Sequence, residues 1–430
     1  MERTLVKDVA KGEIVLKGWV HEIRDLAKLK FLLLRDASGI VQCITKDSAL
    51  FDKFSEISLE SVVEIKGKVK DAKVKAEGVR DDVEIEISSV EILNKAEDLP
   101  MHVNEKTTTT KLSNRLDNRF LDTRKPKVSA IFKIRSSIYR HIIDYFDSKD
   151  FFIINTPKIT TIGLESGAES FKLDHFGKKT VLAQSPQFYK QMFVVGGFEK
   201  VLEIGAVYRA EKSHTNRHIT EFLGVDFEMS FIKSDHDVMD EIEEMMKYVI
   251  TNVLKDCERE LKLLGIDLKV PKKIPRVPMS ELKEMLKKKG KDLSPDDDLD
   301  AEAEKLIGEY ALEKFNEILI FVTNYPTEVR PFYHMRQEGN PKETKSFDLL
   351  LNGTEICTGS QREHRLEVLQ KQAKEKGLEI PKIYENIFRY GVMPHGGVGM
   401  GLDRITQKLL GLENIRESIL LTRDPERVTP

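Results

Sequence analysis

Two strand-like runs, VLEIGAVYRAE (201–211) and EFLGVDFEM (221–229), flank the polar run KSHTNRHIT (212–220). The pattern predicts two antiparallel strands joined by a long loop, and much of the chain has to be arranged around such a pair. Side chains two apart on a strand share a face, so Arg209 should point the same way as Glu211, and Phe222, Gly224 and Asp226 should share a face on the return strand. One surface would then carry a guanidinium, a carboxylate, an aromatic ring and a loop bearing Arg217 and His218. This set suits a nucleoside triphosphate: arginine for phosphate, a ring for the base, a cationic loop for the outer phosphates.

Other segments bear on that reading. Residues 1–97 read as short strands (EIVLKGWVHEI, KFLLLRDASGIVQCIT, SVVEIKGKVKD, DVEIEISSVEIL) with one helical piece, DSALFDKFSEI, among them. A small five-stranded oligonucleotide-binding barrel is expected. Phe31, Arg35 and Gln42 fall on its second and third strands, where such barrels stack and read bases. Residues 98–126 are polar and weakly periodic, an expected linker or hinge. From Pro126 a helix is predicted, with Val128, Ile131, Ile138, Ile142 and Tyr145 at helical spacing. Extended DFFIINTPKIT, the small-residue loop TTIGLESGAESF and VLAQSPQFYKQMFV, a strand entering a helix, follow. The stretch 233–320 is mainly helical and charged; KKKGK (287–291) and SPDDDLDAEAEK read as solvated faces and receive no chemistry.

Further on, Asn352-Gly353 is a two-residue turn signal inside TKSFDLLLNGTEICTGSQREH. Leu350 then faces Glu355, and Asp348 becomes its diagonal neighbour, about 7–8 Å away at the backbone. Carboxylates so placed suit a divalent cation, or need some nearby cation. The glycine-rich GGVGMGLDRITQKLLG is a strand entering a helix, with Arg404 in its first turn and Gly411 as its cap. No P-loop or dinucleotide fingerprint occurs.

Length matters here because 430 residues exceed one ordinary core. A net charge of -3 gives no global attraction to nucleic acid, so any such surface must be a local basic patch. Cys43, Cys257 and Cys357 are widely spaced without a C-x-x-C pair, which points to a reducing compartment. No apolar run reaches the roughly 18 residues of a membrane span, and MERTLVKDVAKGE lacks a signal-peptide core, so a cytoplasmic location without membrane is expected.

Taken in order, these segments resemble class II aminoacyl-tRNA synthetases over nearly the whole chain, most closely their aspartate-specific archaeal and eukaryotic branch. DFFIINTPKIT is similar to motif 1, VYRAEKSHTNRHITEFLGVDFEM to motif 2 and GVGMGLDRI to motif 3. The resemblance implies an α+β fold, an antiparallel sheet flanked by helices, carried by residues 127–430 with a mainly helical insertion around 233–320, and an N-terminal anticodon-binding barrel. It implies two-step, ATP-dependent ligation of L-aspartate to tRNA(Asp) with magnesium, and a homodimer through motif 1 at Pro157. Arg209, Glu211, Arg217, His218, Phe222, Glu355 and Arg404 correspond to the ATP-binding positions, and Arg209, Glu211 and Arg404 to the catalytic ones. Glu165, Ser185, Gln187, Lys190, Asp226, Thr358 and Arg362 correspond to the aspartate site, with Lys190 and Arg362 on the side-chain carboxylate. Two buried cations aimed at one group favour an anion over its neutral amide. Asp348, Glu355 and Thr358 correspond to the metal site. His21, Arg24, Phe31, Gln42 and Glu84 correspond to the anticodon surface. His21 follows Gly18-Trp19-Val20 where relatives that also charge tRNA(Asn) carry histidine, which implies tRNA(Asn) as a second partner. The chain departs from the family at Ser166 in the lid, at Thr358, where serine is common, and at AKLKF before Phe31. An asparagine-specific synthetase, a catalytically silent RNA-binding paralogue and a free-standing asparagine synthetase are the rival readings.

Overall fold

The computed structural model describes residues 2–26, 28–76, 78–104, 109–161, 169–212 and 215–430. The chain divides into two units, residues 1–129 and 130–430.

In the first unit, β1 (Glu13–Leu26), β2 (Leu29–Asp36), β3 (Gly39–Thr45), β4 (Val62–Asp71) and β5 (Val83–Asn94) close into a barrel of order β1-β2-β3-β5-β4. The helix α1 (Phe51–Glu56) lies between β3 and β4 in the chain. Alternation along the strands puts Leu16, Val20, Leu32, Leu34, Val41, Cys43, Val63, Ile65 and Ile85 in the interior. The expected barrel is thus present. Residues 98–126 hold two short helices, α2 (Leu112–Asp117) and α3 (Arg119–Asp122), which apolar spacing does not mark. Ion pairs accompany them: Arg119 bonds Asp122 at 2.6 Å and Arg115 bonds it at 3.0 Å, with Asp122 fully buried. Helix α4 (Pro126–Asp147) carries the chain into the second unit.

The second unit contains β6 (Phe152–Ile153), β7 (Ile159–Thr160), β8 (Lys172–His175), β9 (Lys178–Leu182), α5 (Gln187–Phe193), β10 (Lys200–Tyr208) and β11 (Glu221–Ser230). These are followed by α6 (Asp235–Asp256), α7 (Glu258–Leu264), β12 (Arg276–Pro278), α8 (Met279–Lys288), α9 (Ala301–Phe315) and β13 (Leu319–Thr323). Then come β14 (Arg336–Gln337), β15 (Asn340–Thr344), β16 (Ser346–Leu351), β17 (Glu355–Gln361), α10 (Leu366–Glu375), α11 (Lys382–Ile387), β18 (His395–Gly401) and α12 (Leu402–Leu409). Eight strands form one sheet, β12-β13-β16-β17-β18-β11-β10-β6. It is antiparallel except at its ends, where β6 and β12 run parallel to their neighbours. Ile131, Ile138 and Ile142 of α4 pack with Val238, Ile242 and Met246 of α6 against the sheet's Phe227, Leu349 and Val398. Burial of that many large aliphatic side chains, at about 1.5–3 kcal/mol each, fixes the sheet as the rigid floor of the unit.

Candidate active site

The pair β10 and β11 is antiparallel in the register Val207↔Phe222, Gly205↔Gly224 and Glu203↔Asp226. Next, β11 pairs β18 with Asp226↔Gly399 and Glu228↔Gly397, β18 pairs β17 with Gly399↔Thr358 and Gly397↔Ser360, and Thr358 faces Asp348 on β16. Two rows of polar side chains therefore cross the sheet, interrupted by glycine at β18. The glycines have a steric reason. A Cβ on Gly397 would collide with the Phe227 carbonyl and the Glu228 carboxylate, and one on Gly399 would stand 3.0 Å from Asp226 Oδ1. Carboxylates from β11 lie across a strand that offers no side chain of its own.

Above these rows is a cavity of about 560 Å³. Arg209, Glu211, Arg217, His218, Phe222, Glu355 and Arg404 all line it, as do Ser185, Gln187, Asp226, Thr358 and Arg362. The antiparallel pair and the side chains expected beside it thus meet at one cavity, though not all of them come from strands. Strand β10 ends at Tyr208, so Arg209 and Glu211 are not strand residues; only the bond from Arg209 N to Thr220 O (2.9 Å) continues the ladder. The Arg209 guanidinium sits over the Phe222 ring, 5.4 Å from its centre. Burial, with Arg404 nearby, lowers the pKa of His218 and keeps the ring neutral at pH 7. Glu165 and Ser166 lie outside the described residues.

Lys190 stands one layer below the cavity, almost fully buried, with Nζ 3.0 Å from Asp226 Oδ1, 2.8 Å from Val398 O and 3.7 Å from Glu228 Oε2. Arg362 donates from Nε and Nη2 to Glu228 (2.8 and 3.1 Å) and from Nη1 to Ser360 Oγ (2.7 Å). Lys190 and Arg362, expected to aim at one substrate group, already meet carboxylates of β11: Lys190 lies between Asp226 and Glu228, and Arg362 is held by Glu228, on the same face as Asp226. Burial alone would raise the Glu228 pKa, but Arg362 and Lys190 outweigh it and hold the group below the ordinary carboxylate range. Burial wins at Asp226, whose pKa is raised despite Lys190. His334 Nε2 lies 3.3 Å from Arg362 Nη1, and since arginine only donates, that nitrogen accepts.

The Asn352-Gly353 turn forms, with Leu350 opposite Glu355, but a bulge at Leu349 and Leu350 sets Asp348 opposite Thr358, so it is not the diagonal neighbour of Glu355 that a regular hairpin would make it. Asp348 does not line the cavity: it is buried beneath Thr358, and its Oδ2 accepts from Arg330 Nη2 at 2.6 Å. The nearby cation that the paired carboxylates require is therefore Arg330, itself seated 3.6 Å over the Tyr325 ring. Among the described residues Asp348 Oδ1 is buried without a hydrogen-bond partner, Thr358 Oγ1 is 3.5 Å from Glu355 Oε1, and that carboxylate is partly exposed toward the cavity. This donor set fits magnesium, which takes one or two carboxylates and fills its shell from phosphate and water. Among the described residues no group of three His, Cys, Asp or Glu is placed to hold a metal alone.

The charged stretch before β13 is not inert. Asp298 lines the cavity, and Glu304 of α9 bonds Arg217 Nη2 at 2.6 Å and accepts from Glu355 N at 3.2 Å. No local pattern marks these contacts. A C-terminal strap also holds the loop: Ile415 N to Asn216 O (2.9 Å), Arg416 Nη1 to Thr215 O (3.1 Å) and Thr220 N to Arg423 O (2.9 Å). The Arg416–Asp424 ion pair (2.6 Å, both buried) locks that strap.

On the barrel, Phe31 and Arg24 pair across β1 and β2, with Phe31 half-buried and Arg24 exposed beside Glu22 (2.7 Å). Gln42 on β3 donates to Glu84 on β5 at 3.1 Å. His21 and Arg35 are both buried: Arg35 bonds Glu60 through both terminal nitrogens (2.9 and 2.6 Å) and His21 Nδ1 at 2.8 Å. The first unit's groups are thus split between an exposed face and an internal network.

Residues 111–425 match the family model described as tRNA synthetases class II (D, K and N), and residues 14–93 match the OB-fold nucleic acid binding domain. The chain is 43% identical to the aspartate–tRNA(Asp/Asn) ligase of Aeropyrum pernix, over 97% of this chain and 96% of the relative. It is 41% identical to the aspartate–tRNA(Asp) ligase of Pyrococcus abyssi, over 99% of this chain and 98% of the relative. The asparaginyl-tRNA synthetase of Pyrococcus horikoshii complexed with asparaginyl-adenylate superposes with a TM-score of 0.92 at 30% identity, covering 100% of both chains. With a phosphate-suited cavity in one unit, an OB barrel in the other and these matches along nearly its full length, the chain belongs to the class II tRNA synthetases of the D, K and N group.

Proposed function

We propose that this protein activates L-aspartate with ATP and transfers the aspartyl group to tRNA(Asp). The observation that carries the reading is the seat of Arg362 on the cavity wall, held by Glu228 and Ser360, with Lys190 behind Asp226. The guanidinium has five donors and no acceptor, and one Nη2 N–H remains after its partners among the described residues are counted. A side-chain carboxylate, which only accepts, suits it with either oxygen, whereas an amide can offer it only the carbonyl oxygen and must find a separate acceptor for its NH2 beside Lys190 and Arg362. Asp226 at the same floor, with Gln187 and Ser185 on the wall, suits the substrate ammonium.

The two steps follow from the lining. An α-carboxylate oxygen attacks the α-phosphorus, the bond to the bridging oxygen breaks, and pyrophosphate leaves. Arg209 and Arg404 offset the charge that develops on the phosphate oxygens. Phe222 offers its ring to adenine, while Arg217 and His218 approach the outer phosphates; Arg217 must give up Glu304 to do so. The terminal hydroxyl of tRNA then attacks the acyl carbonyl and AMP departs. Magnesium would be held by Asp348, Glu355 and Thr358 and would neutralise phosphate charge when bound.

His21 and the Asp/Asn name of the Aeropyrum relative support tRNA(Asn) as a second substrate. Since His21 is buried against Arg35, it would act by shaping the barrel surface near Phe31, Gln42, Glu84 and Arg24. A homodimer is supported by the outer strand β6, where Phe152 is 51% exposed and stacks on the 43% exposed Phe198 at 4.2 Å. A cytoplasmic location is supported by three buried, unpaired cysteines. No helix among the described residues is long and apolar enough to cross a membrane.

ATP–pyrophosphate exchange with aspartate and with asparagine tests the core reading. Exchange should run with aspartate, and Lys190→Met should abolish the preference; preferred exchange with asparagine would assign the site to its amide rival. Separate tRNA(Asp) and tRNA(Asn) transcripts test the second substrate, and a preference above about a hundredfold, ~2.8 kcal/mol, would remove tRNA(Asn).

A further inference from the structure

The hairpin β8–β9, residues 172–182, contributes no residue to the cavity lining. It turns at Phe176-Gly177, with His175 opposite Lys178 and Asp174 opposite Lys179. Both turn residues have positive φ, 54° for Phe176 and 81° for Gly177. A two-residue turn of this kind favours asparagine then glycine, because a left-handed backbone crowds a larger side chain. Here the position holds phenylalanine, 93% exposed, whose one ring contact among the described residues is edge-on against His175. An unfavoured backbone carrying an unburied ring gains the fold nothing, and such strain marks positions kept for another purpose.

The setting is cationic. Lys172, Lys178 and Lys179 are exposed and form no ion pair among the described residues, and against them stands one carboxylate, Asp174, so residues 172–179 carry +2 with His175 neutral, where the whole chain carries -3. Asp174 is occupied by the Gly177 amide at 3.0 Å. The base of the hairpin is tied to the cavity rim. Ala210 N bonds Glu169 O (2.8 Å), Tyr208 N bonds Ala183 O (3.0 Å), and β9 leads directly into Gln184 and Ser185 of the lining. Its five residues raise the tip about 17 Å from that rim.

We infer that this hairpin is a docking surface for the unpaired 3′ end of the RNA substrate, with Phe176 as a stacking platform for one base and Lys178 and Lys179 against the backbone phosphates. An exposed ring among lysines is the combination that binds single strands without reading sequence. A protein partner would be met by an apolar patch, whereas this tip presents one ring within a cationic fringe. The choice of RNA rests on the proposed aminoacyl transfer, which requires that strand to enter the cavity beside the hairpin.

The test uses the full-length enzyme, Phe176→Asn and Lys178→Ala/Lys179→Ala, with equilibrium binding to a tRNA(Asp) transcript and to the same transcript lacking its unpaired 3′ nucleotides. Asparagine suits the turn, so Phe176→Asn should keep the melting temperature. It should weaken binding to the intact transcript about tenfold and leave binding to the shortened one unchanged, a coupling that general destabilisation does not produce. The lysine pair should flatten the plot of log Kd against log salt by about 1.4, from ~0.7 for each single-strand phosphate. Equal loss on both transcripts, or Kd within twofold and an unchanged slope, overturns the inference. So does a fall in molar mass by light scattering that accounts for the loss, which would make the tip a subunit contact. ATP–pyrophosphate exchange without tRNA should stay within twofold in both variants. Its absence from the unsubstituted enzyme would count against aspartate activation alone, since the binding measurements judge the hairpin without it.

Discussion

Each unit buries a small network of ionised groups, and the two networks differ in one respect. In the barrel, Arg35 and Arg124 share the Glu60 carboxylate (2.6 and 3.0 Å) and flank the Trp19 ring at 5.8 and 5.0 Å. In the second unit, Lys190 and Arg362 are balanced by Asp226 and Glu228. Among the described residues the barrel network is closed within the first unit and none of Arg35, Arg124 and Glu60 lines the cavity, whereas Arg362 and Asp226 face it. Burying ion pairs costs desolvation in both places, and repacking with apolar groups is often no worse for stability. The closed network fixes local geometry; the open one holds charged donors and acceptors where a small zwitterion can replace water.

Removing the central carboxylate from each network is the sharpest way to break this comparison. Glu228→Gln should cost about 3–5 kcal/mol in urea unfolding, because Arg362 loses its counter-charge and Lys190 keeps only Asp226, and should lower exchange by at least about a thousandfold. The stability loss has a pH signature. Glu228 has a folded pKa below its unfolded value, so its contribution is full above the unfolded value near 4.3 and is lost as pH falls through the lower folded value. The gap between wild type and variant should therefore close only in acid, below about pH 4. Exchange within tenfold of wild type would mean the network does not serve the cavity. Glu60→Gln should cost a similar ~3 kcal/mol in the barrel, yet leave exchange within twofold; a large loss of exchange would show that the barrel network is not closed.

How much of this could be read in the sequence follows the same division between local and distant contacts. The barrel strands, α4, the β10–β11 pair and the Asn352-Gly353 turn are encoded by neighbouring residues, through alternation, helical spacing and turn chemistry. Phe222, Gly224 and Asp226 were legible on the cavity wall because they share a face by strand periodicity, whereas Ser185, Gln187, Thr358 and Arg362 came only from the family resemblance. The groups that escaped are those whose partners lie far along the chain. Glu228 meets Arg362 across 134 residues, Arg217 meets Glu304 across 87, and Asp348 meets an Arg330 that no pattern marks. Charge runs such as 296–304 look solvated because composition does not reveal which carboxylate turns inward. The one available signal was that Glu228 lies on the same face as Asp226.

A smaller effect is expected at a third buried pair, which touches the cavity only through the loop it holds. Arg416→Ala frees the strap from Asp424 and from Thr215 O, and should raise KM for ATP in exchange about tenfold, roughly one lost charge-assisted hydrogen bond, with kcat and KM for aspartate within threefold. Arg416→Lys should recover part of this. A fall in kcat with KM for ATP unchanged would place Arg416 outside the loop's support.

Asp348 lies between the two kinds of network, with one oxygen committed to Arg330 and the other without a partner among the described residues. Burial, reinforced by Glu355, pushes its pKa up to about 6 against the pull of Arg330. A carboxyl whose folded pKa exceeds its unfolded value costs the fold nothing below the unfolded value near 4, and the full penalty above the folded one. A divalent cation bound to the ionised form would relieve that penalty, and protons would compete with it below pH 6. Magnesium should accordingly raise the melting temperature more at pH 7.5 than at pH 5.5, and Asp348→Asn should abolish the difference. An equal rise at both pH values would show that magnesium acts elsewhere, and Asp348 would then belong with Glu60 as a carboxylate whose only work is to neutralise an arginine.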